Sequence, residues 1–451
     1  GVDYELARVI AMLKPYNSDL LSRILDRITA TSHPVTDIHH LVVAARVPAD
    51  RNARQRLRIA RAFVQLDGKI RARKLKVDLH WEDRIGEAYH RHAQIDPGLP
   101  EEIVAQAEFG GPDHVLFLKE LDDRHWQTAI DRFVKRIRAG GDYRWNTDVV
   151  FLMGESSNPA HANLVRAQFD DFGLRNAILL VLARKPAAVD RAKFVRGLES
   201  GQLNVVTACV AALGKLAGAG SGAEQIALFR AARRLGRDKR EIPIRDALIK
   251  RLQAATGKNF GYRSGAGLKT TQAAAMQKWE RWLADSYPRQ ARRLLATGGG
   301  NWEQFKTLLS KVDWDAGSAA RGRELFHKRS CAQCHNARRA LGPDLAGVAK
   351  RFSRNDFFTA VVLPDRDVSP RYQTTQIVTT KGKSYTGLAV YHSVDGVTLR
   401  TGTNQTIRVE AADIEHRRQL NASLMPSGLM NGLKPSDLAD LYAYVRSLSR
   451  R

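Results

Sequence analysis

The chain has 451 residues, a hydrophobic fraction of 43% and a formal net charge of +25. That length calls for more than one core, and the composition is that of a globular protein. Three cysteines exclude a disulfide framework, and no apolar run approaches the length of a membrane-spanning helix.

From Tyr4 to about Leu309 the sequence reads as helix after helix. YELARVIAMLK, SDLLSRILDRI, VTDIHHLVVAARV and RQRLRIARAFVQL repeat apolar residues at spacings of three and four. RAKFVRGLES, NVVTACVAALGKL, AEQIALFRAARRL, IRDALIKRLQAAT and TQAAAMQKWERWLADS continue the pattern. Pro34, Pro48, Pro100, Pro112, Pro159 and Pro186 fall at expected helix boundaries. Glycine-rich turns are expected at 218–222, 257–267 and 298–300, the last ending this region. Amphipathic helix pairs of this kind predict an α-solenoid of HEAT type over residues 1–315, with an irregular repeat period. Its tryptophans are expected to lock helix pairs together, and Cys209 to be a buried small hydrophobe. His33, Asp37, His39 and His40 lack complete metal-ligand spacing and read as a wet helix end. His90 and His92 point different ways on a helix and make no pair.

Residues 316–451 differ. In RGRELFHKRS, Gly322 and Phe326 lie four apart on one helix face. Cys331-Ala-Gln-Cys334-His335 follows. Two thiols three residues apart, followed at once by an imidazole, suit covalent haem attachment: thioethers from Cys331 and Cys334 and iron ligation by His335. The other uses of such a pair are zinc ligation, which demands a fourth ligand, and thiol redox chemistry. Next comes Gly342-Pro343-Asp344-Leu345. TQIVTT, SYTGLAVY, VTLRTG and TIRVEAADI then predict three to five antiparallel strands over about 372–415, with a turn at Lys381-Gly382-Lys383. SLMPSGLM places Met425 as the best distal ligand, a soft thioether beside a proline and near Gly428. Met430, His392 and His416 are its rivals. DLADLYAYVRSL closes the series with a helix whose Leu441 and Tyr444 are expected to meet Gly322 and Phe326. Arg351 and Arg371 are candidates to bind haem propionates. Asp344, Asp365 and Asp367 read as caps of helices or turns. No GxSxG, HExxH, P-loop or dinucleotide fingerprint is present.

The order helix, attachment motif, ligand loop and closing helix is that of a class I cytochrome c-like domain. GPDLAGVAKRF, VVLPDRDVSPRY, LRTG and SLMPSGL resemble the haem-binding CxxCH domain of large secreted proteins from planctomycete and verrucomicrobial bacteria. LVVAARVP, RIARAFVQLDGKI, WNTDVVFLM and DRAKFVRGLES resemble the helical-repeat region that often precedes it. The resemblance implies one covalently bound haem c, with Cys331 and Cys334 as anchors, His335 proximal and Met425 distal. It also implies that the Pro343 carbonyl orients His335.

The expected fold is therefore mainly α, a HEAT-like solenoid at 1–315 and a cytochrome c-like domain at 316–451. The expected function is single-electron transfer in a bacterial periplasm or other extracytoplasmic compartment, since c-type attachment takes place there. The expected partner is a redox protein or dehydrogenase, and a basic surface favours an acidic one. A nucleic-acid partner has no finger, aromatic platform or concentrated basic arm to support it. A first residue of Gly rather than Met gives the expectation of a processed or truncated start; larger proteins of the resembled family can carry a propeller-like dehydrogenase domain upstream, and whether one was removed here stays open. Two alternatives stay open: a haem enzyme acting on peroxide or a small ligand, and a repeat scaffold with a sensory or structural haem.

Overall fold

The computed structural model describes residues 2–75, 81–141, 143–200, 202–235, 241–265, 269–288, 302–335, 341–380, 384–402, 406–420, 422–425, 428–430 and 432–448. The expected turns at 298–300 and Lys381–Lys383, and Pro426, lie outside the described residues. The chain divides into two compact units, Gly1–Asn163 and Leu164–Arg451.

The first unit is helical: α1 (Val2–Leu13), α2 (Ser18–Leu25), α3 (Pro34–Ala44), α4 (Ala53–Ala72), α5 (Trp81–Ile95), α6 (Leu99–Ala105), α7 (Asp123–Arg138) and α8 (Thr147–Gly154). The long α4 starts on a reciprocal cap between Asn52 and Gln55, which satisfies two otherwise orphaned N–H groups. Its Phe63 packs in a ring cluster with Tyr89 and Phe117. The polar residues singled out above are spent on structure. Asp37 pairs with Lys69 at 2.6 Å inside the core, and His33 caps α3. His39 and His40 pack with the Tyr4 ring. His92 bonds the Leu41 carbonyl while His90 bonds Glu120.

Helix α9 (His161–Ala167) crosses the division. The second unit continues with α10 (Phe172–Leu182), α11 (Arg191–Gly197), α12 (Leu203–Lys215), α13 (Gly222–Arg234), α14 (Ile242–Thr256), α15 (Lys269–Ser286) and α16 (Trp302–Leu309). Cys209 in α12 is wholly buried, and a Cβ on Gly197 would lie 2.3 Å from its sulfur. Trp279 of α15 is fully buried against Phe260 and Trp282.

The same unit then carries α17 (Ala319–Lys328), the single turn α18 (Cys331–Cys334), α19 (Val348–Arg351), α20 (Arg354–Val362) and the closing α21 (Pro435–Ser447). α17 crosses α21 at Gly322. A Cβ there would lie 1.9 Å from the Asp440 carbonyl oxygen, so only glycine lets the two backbones meet. Phe326 stands edge-on to Tyr444, and Leu441 is buried in the same cluster. The Asp440 carboxylate ties the crossing further, accepting from Ser318 N–H and from both Nε and Nη2 of Arg321, each at 2.7 Å.

Between α20 and α21 lies one five-stranded antiparallel sheet, ordered β4-β3-β2-β1-β5. Its strands are β1 (Thr375–Thr379), β2 (Ser384–Ser393), β3 (Gly396–Thr401), β4 (Thr406–Glu410) and β5 (Ile414–Gln419). Ile377, Val397, Leu399 and Val409 form its own small core. The expected insertion ended near 415, whereas β5 runs to Gln419 and pairs with β1.

Candidate functional site

The attachment segment begins where α17 ends. Ser330 sits in the left-handed region, φ 58°, which turns the chain sharply into α18. One helical turn then carries both thiols, because residues three apart share a helix face. Cys331 and Cys334 are free thiols, not a disulfide. Burial pushes Cys331 up to about 12 and Cys334 up to about 11, so both are protonated at neutral pH. A zinc site needs thiolates and a fourth ligand. Among the described residues no group of three or more His, Cys, Asp or Glu is assembled that could hold a metal ion.

His335 Nδ1 lies 2.8 Å from the Pro343 carbonyl oxygen. A carbonyl only accepts, so the proton sits on Nδ1 and the Nε2 lone pair is left for a ligand bond. Burial lowers the His335 pKa, with the Pro343 bond opposing, and keeps the ring neutral as ligation requires. The loop is fastened by Gly342 N–H donating to the Cys334 carbonyl at 3.0 Å. A Cβ on Gly342 would stand 2.7 Å from His335 Cε1. Gly342→Ala is therefore expected to rotate the imidazole and to convert part of the haem-loaded protein from low-spin to high-spin ferric absorption. A wild-type spectrum would show that the ring has room to spare.

Met425 and Cys331 both border one apolar cluster that includes Phe326, Leu345, Val348, Leu429, Met430 and Leu433. Met430 is buried core at 5% exposure, while Met425 is half-buried at the cluster's margin. The methionine loop is built from the Asp365 carboxylate, which accepts from Ser423 N–H at 2.8 Å; Ser423 Oγ in turn accepts from Met425 N–H at 3.0 Å. Gly428, at φ 82°, makes the return that a side chain would strain. Arg329 Nη1 donates to the Leu429 carbonyl at 3.1 Å and joins the attachment segment to this loop. Asp365 read from sequence as a helix or turn cap, and its carboxylate instead reaches Ser423 in another segment. That bond had no sequence signal, because 58 positions separate the two partners.

The remaining candidates are exposed. Arg351 is exposed on α19 and donates to the Ala346 carbonyl. Arg371 is exposed and lines an open recess with Pro370, Gln373, Thr375, Arg417 and Gln419. His392 and His416 are exposed on β2 and β5. Asp344 caps its own turn, accepting from Ala346 N–H.

The residues present fit a c-type haem. Two reduced thiols share one turn, a neutral imidazole has Nδ1 tied and Nε2 left for a ligand, and a half-buried thioether borders the same cluster as Cys331. No curated protein matches the chain. The cytochrome c family model matches residues 319–386, from α17 through the attachment motif into β2, and stops short of the Met425 loop. The carboxy-terminal part of the chain is thus a cytochrome c-like domain, a family that binds haem c covalently and carries electrons.

Proposed function

We propose that this chain is a monohaem c-type electron carrier of an extracytoplasmic bacterial compartment, exchanging single electrons with a partner oxidoreductase. When bound, haem c supplies the ferrous–ferric couple. Cys331 and Cys334 would anchor it, His335 would ligate through Nε2 while holding its proton at Nδ1 against Pro343, and Met425 would be the second iron ligand. Arg351 and Arg371 are assigned to the propionates. We divide the chain functionally at 315/316, reading the preceding helices as a HEAT-like scaffold and docking surface. The net charge of +25 favours an acidic partner surface.

The observation that carries this reading is the tied imidazole next to two reduced thiols on one turn. A Met/His pair leaves no open coordination position, which favours electron transfer over peroxide chemistry. The test is a pyridine haemochrome spectrum and a denaturing haem stain on protein matured in a host competent for c-type attachment. One thioether-linked haem per chain is expected. Protein from such a host without covalent haem would remove the reading.

A further inference from the structure

The attachment turn is bonded by a helix that precedes the cytochrome c-like domain, and a second such helix touches the end of β3 beside the methionine loop. On the first side stands Asp171, the N-cap of α10. Its Oδ1 accepts from Gly173 N–H at 2.8 Å, from Ser330 Oγ at 2.5 Å and from Gln333 Nε2 at 3.4 Å. A Cβ on Gly173 would fall 1.7 Å from Gln333 Oε1, so the Gln333 side-chain amide lies against the first turn of α10. On the second side, Gln202 stands at the N-cap of α12. A Cβ on Gly402 would lie 1.8 Å from its Nε2 and 3.5 Å from Leu424 Cδ2, the residue before Met425.

These contacts explain a strained feature. A non-glycine residue in the left-handed region costs about 1–2 kcal/mol and persists where its surroundings impose it. Ser330 is such a residue, buried, and its hydroxyl is bonded to a carboxylate. A bond to an ionised acceptor is the stronger kind. The backbone bend that presents Cys331 is thus fixed by a side chain 159 positions away.

We propose that α10 and α12 clasp the haem pocket, with Asp171 positioning the attachment turn and Gln202 positioning the methionine loop. This rests on the ligand roles given above to His335 and Met425. The stiffness of the attachment turn, and of the β3 end beside the methionine loop, is then set from outside residues 316–451.

The test uses the full haem-loaded chain. The amides of Gln333 and His335 donate to the Ser330 and Cys331 carbonyls at 3.0 and 2.9 Å and report the attachment turn by hydrogen exchange. Asp171→Ala should speed their exchange roughly ten-fold, the equivalent of one hydrogen bond of ordinary net strength. Gln333→Ala removes only the 3.4 Å contact, leaving the α10 cap and the Ser330 bond in place, and should speed exchange at His335 in the same direction but less than Asp171→Ala. Asp171→Asn keeps an acceptor oxygen and the cap but gives up the charge, and should fall between wild type and Asp171→Ala. On the second side, Gln202→Ala should raise the rate at which cyanide enters the ferric haem by a similar factor. Wild-type exchange in both Asp171→Ala and Gln333→Ala, or an unchanged cyanide rate in Gln202→Ala, would overturn the clasp. Immediate cyanide binding to the wild type would instead sink the Met425 ligand assignment. The exchange arm would still decide the role of Asp171.

Discussion

Met425→Ala should leave the haem covalently attached and lower its reduction potential by on the order of 100 mV or more, a fraction of the ~0.8 V range that axial ligation spans. Attachment survives because Cys331 and Cys334 lie on α18, far along the chain from the methionine loop. The potential falls because a soft, neutral thioether favours the ferrous state, and alanine offers no donor in its place. The sulfur-to-iron charge-transfer band of the ferric protein should vanish with it. Met430→Ala is the control. That side chain is core, so its loss should lower stability and leave both spectrum and potential near wild type. The reverse pattern would transfer the ligand role to Met430. An unchanged spectrum in both variants would point to His392, His416 or another donor.

Gly322→Ala should destabilise the second unit. Alanine gains about 1 kcal/mol over glycine inside a helix. Against this, the added Cβ would sit 1.9 Å from the Asp440 carbonyl oxygen and 2.8 Å from Tyr444 Cβ. A backbone carbonyl cannot swing aside as a flexible side chain does. Prising α17 from α21 costs about 3 kcal/mol or more, at the upper end of overpacking penalties. The clash wins, with a net loss of about 2 kcal/mol, or roughly 4–8 °C in the midpoint of thermal unfolding for a unit of this size. Calorimetry of the haem-loaded protein reads it, and an unchanged or raised midpoint would refute the close crossing.

Local signals in the sequence carried different parts of this account unequally. The attachment motif was legible because Cys331, Cys334 and His335 are contiguous and their chemistry is demanding. The α17–α21 crossing was legible because Gly322 and Phe326 share a helix face with nothing polar between them on it. β1 to β4 showed alternation or turn signals. β5 did not: Glu415-His416-Arg417-Arg418-Gln419 is an exposed edge strand whose charged side chains face solvent on both sides. Such charge is how an open sheet edge avoids pairing with other chains, and it erases the period-2 pattern. Long-range carboxylates were invisible for another reason. Asp440 with Arg321 and Asp171 with Ser330 are pairs 119 and 159 positions apart, and no periodicity links them. The left-handed turn at Ser330 was equally hidden, because serine carries no preference for that conformation and adopts it under tertiary constraint.

The crossing at Gly322 also bears on the order of folding. Its polar fastenings join Ser318 and Arg321 to Asp440, spanning 122 and 119 residues. Closing a loop of that length is entropically costly and slow compared with forming local helices. The wall formed by α17 and α21 cannot be complete until residues 435–447 have been synthesised and have found their partner. Cys331 and Cys334, only a few residues beyond α17, emerge well before that. A folding chain thus passes through an interval in which the turn bearing both thiols is formed but not yet walled in by α21, and the sheet inserted between α20 and α21 lengthens the loop that must close.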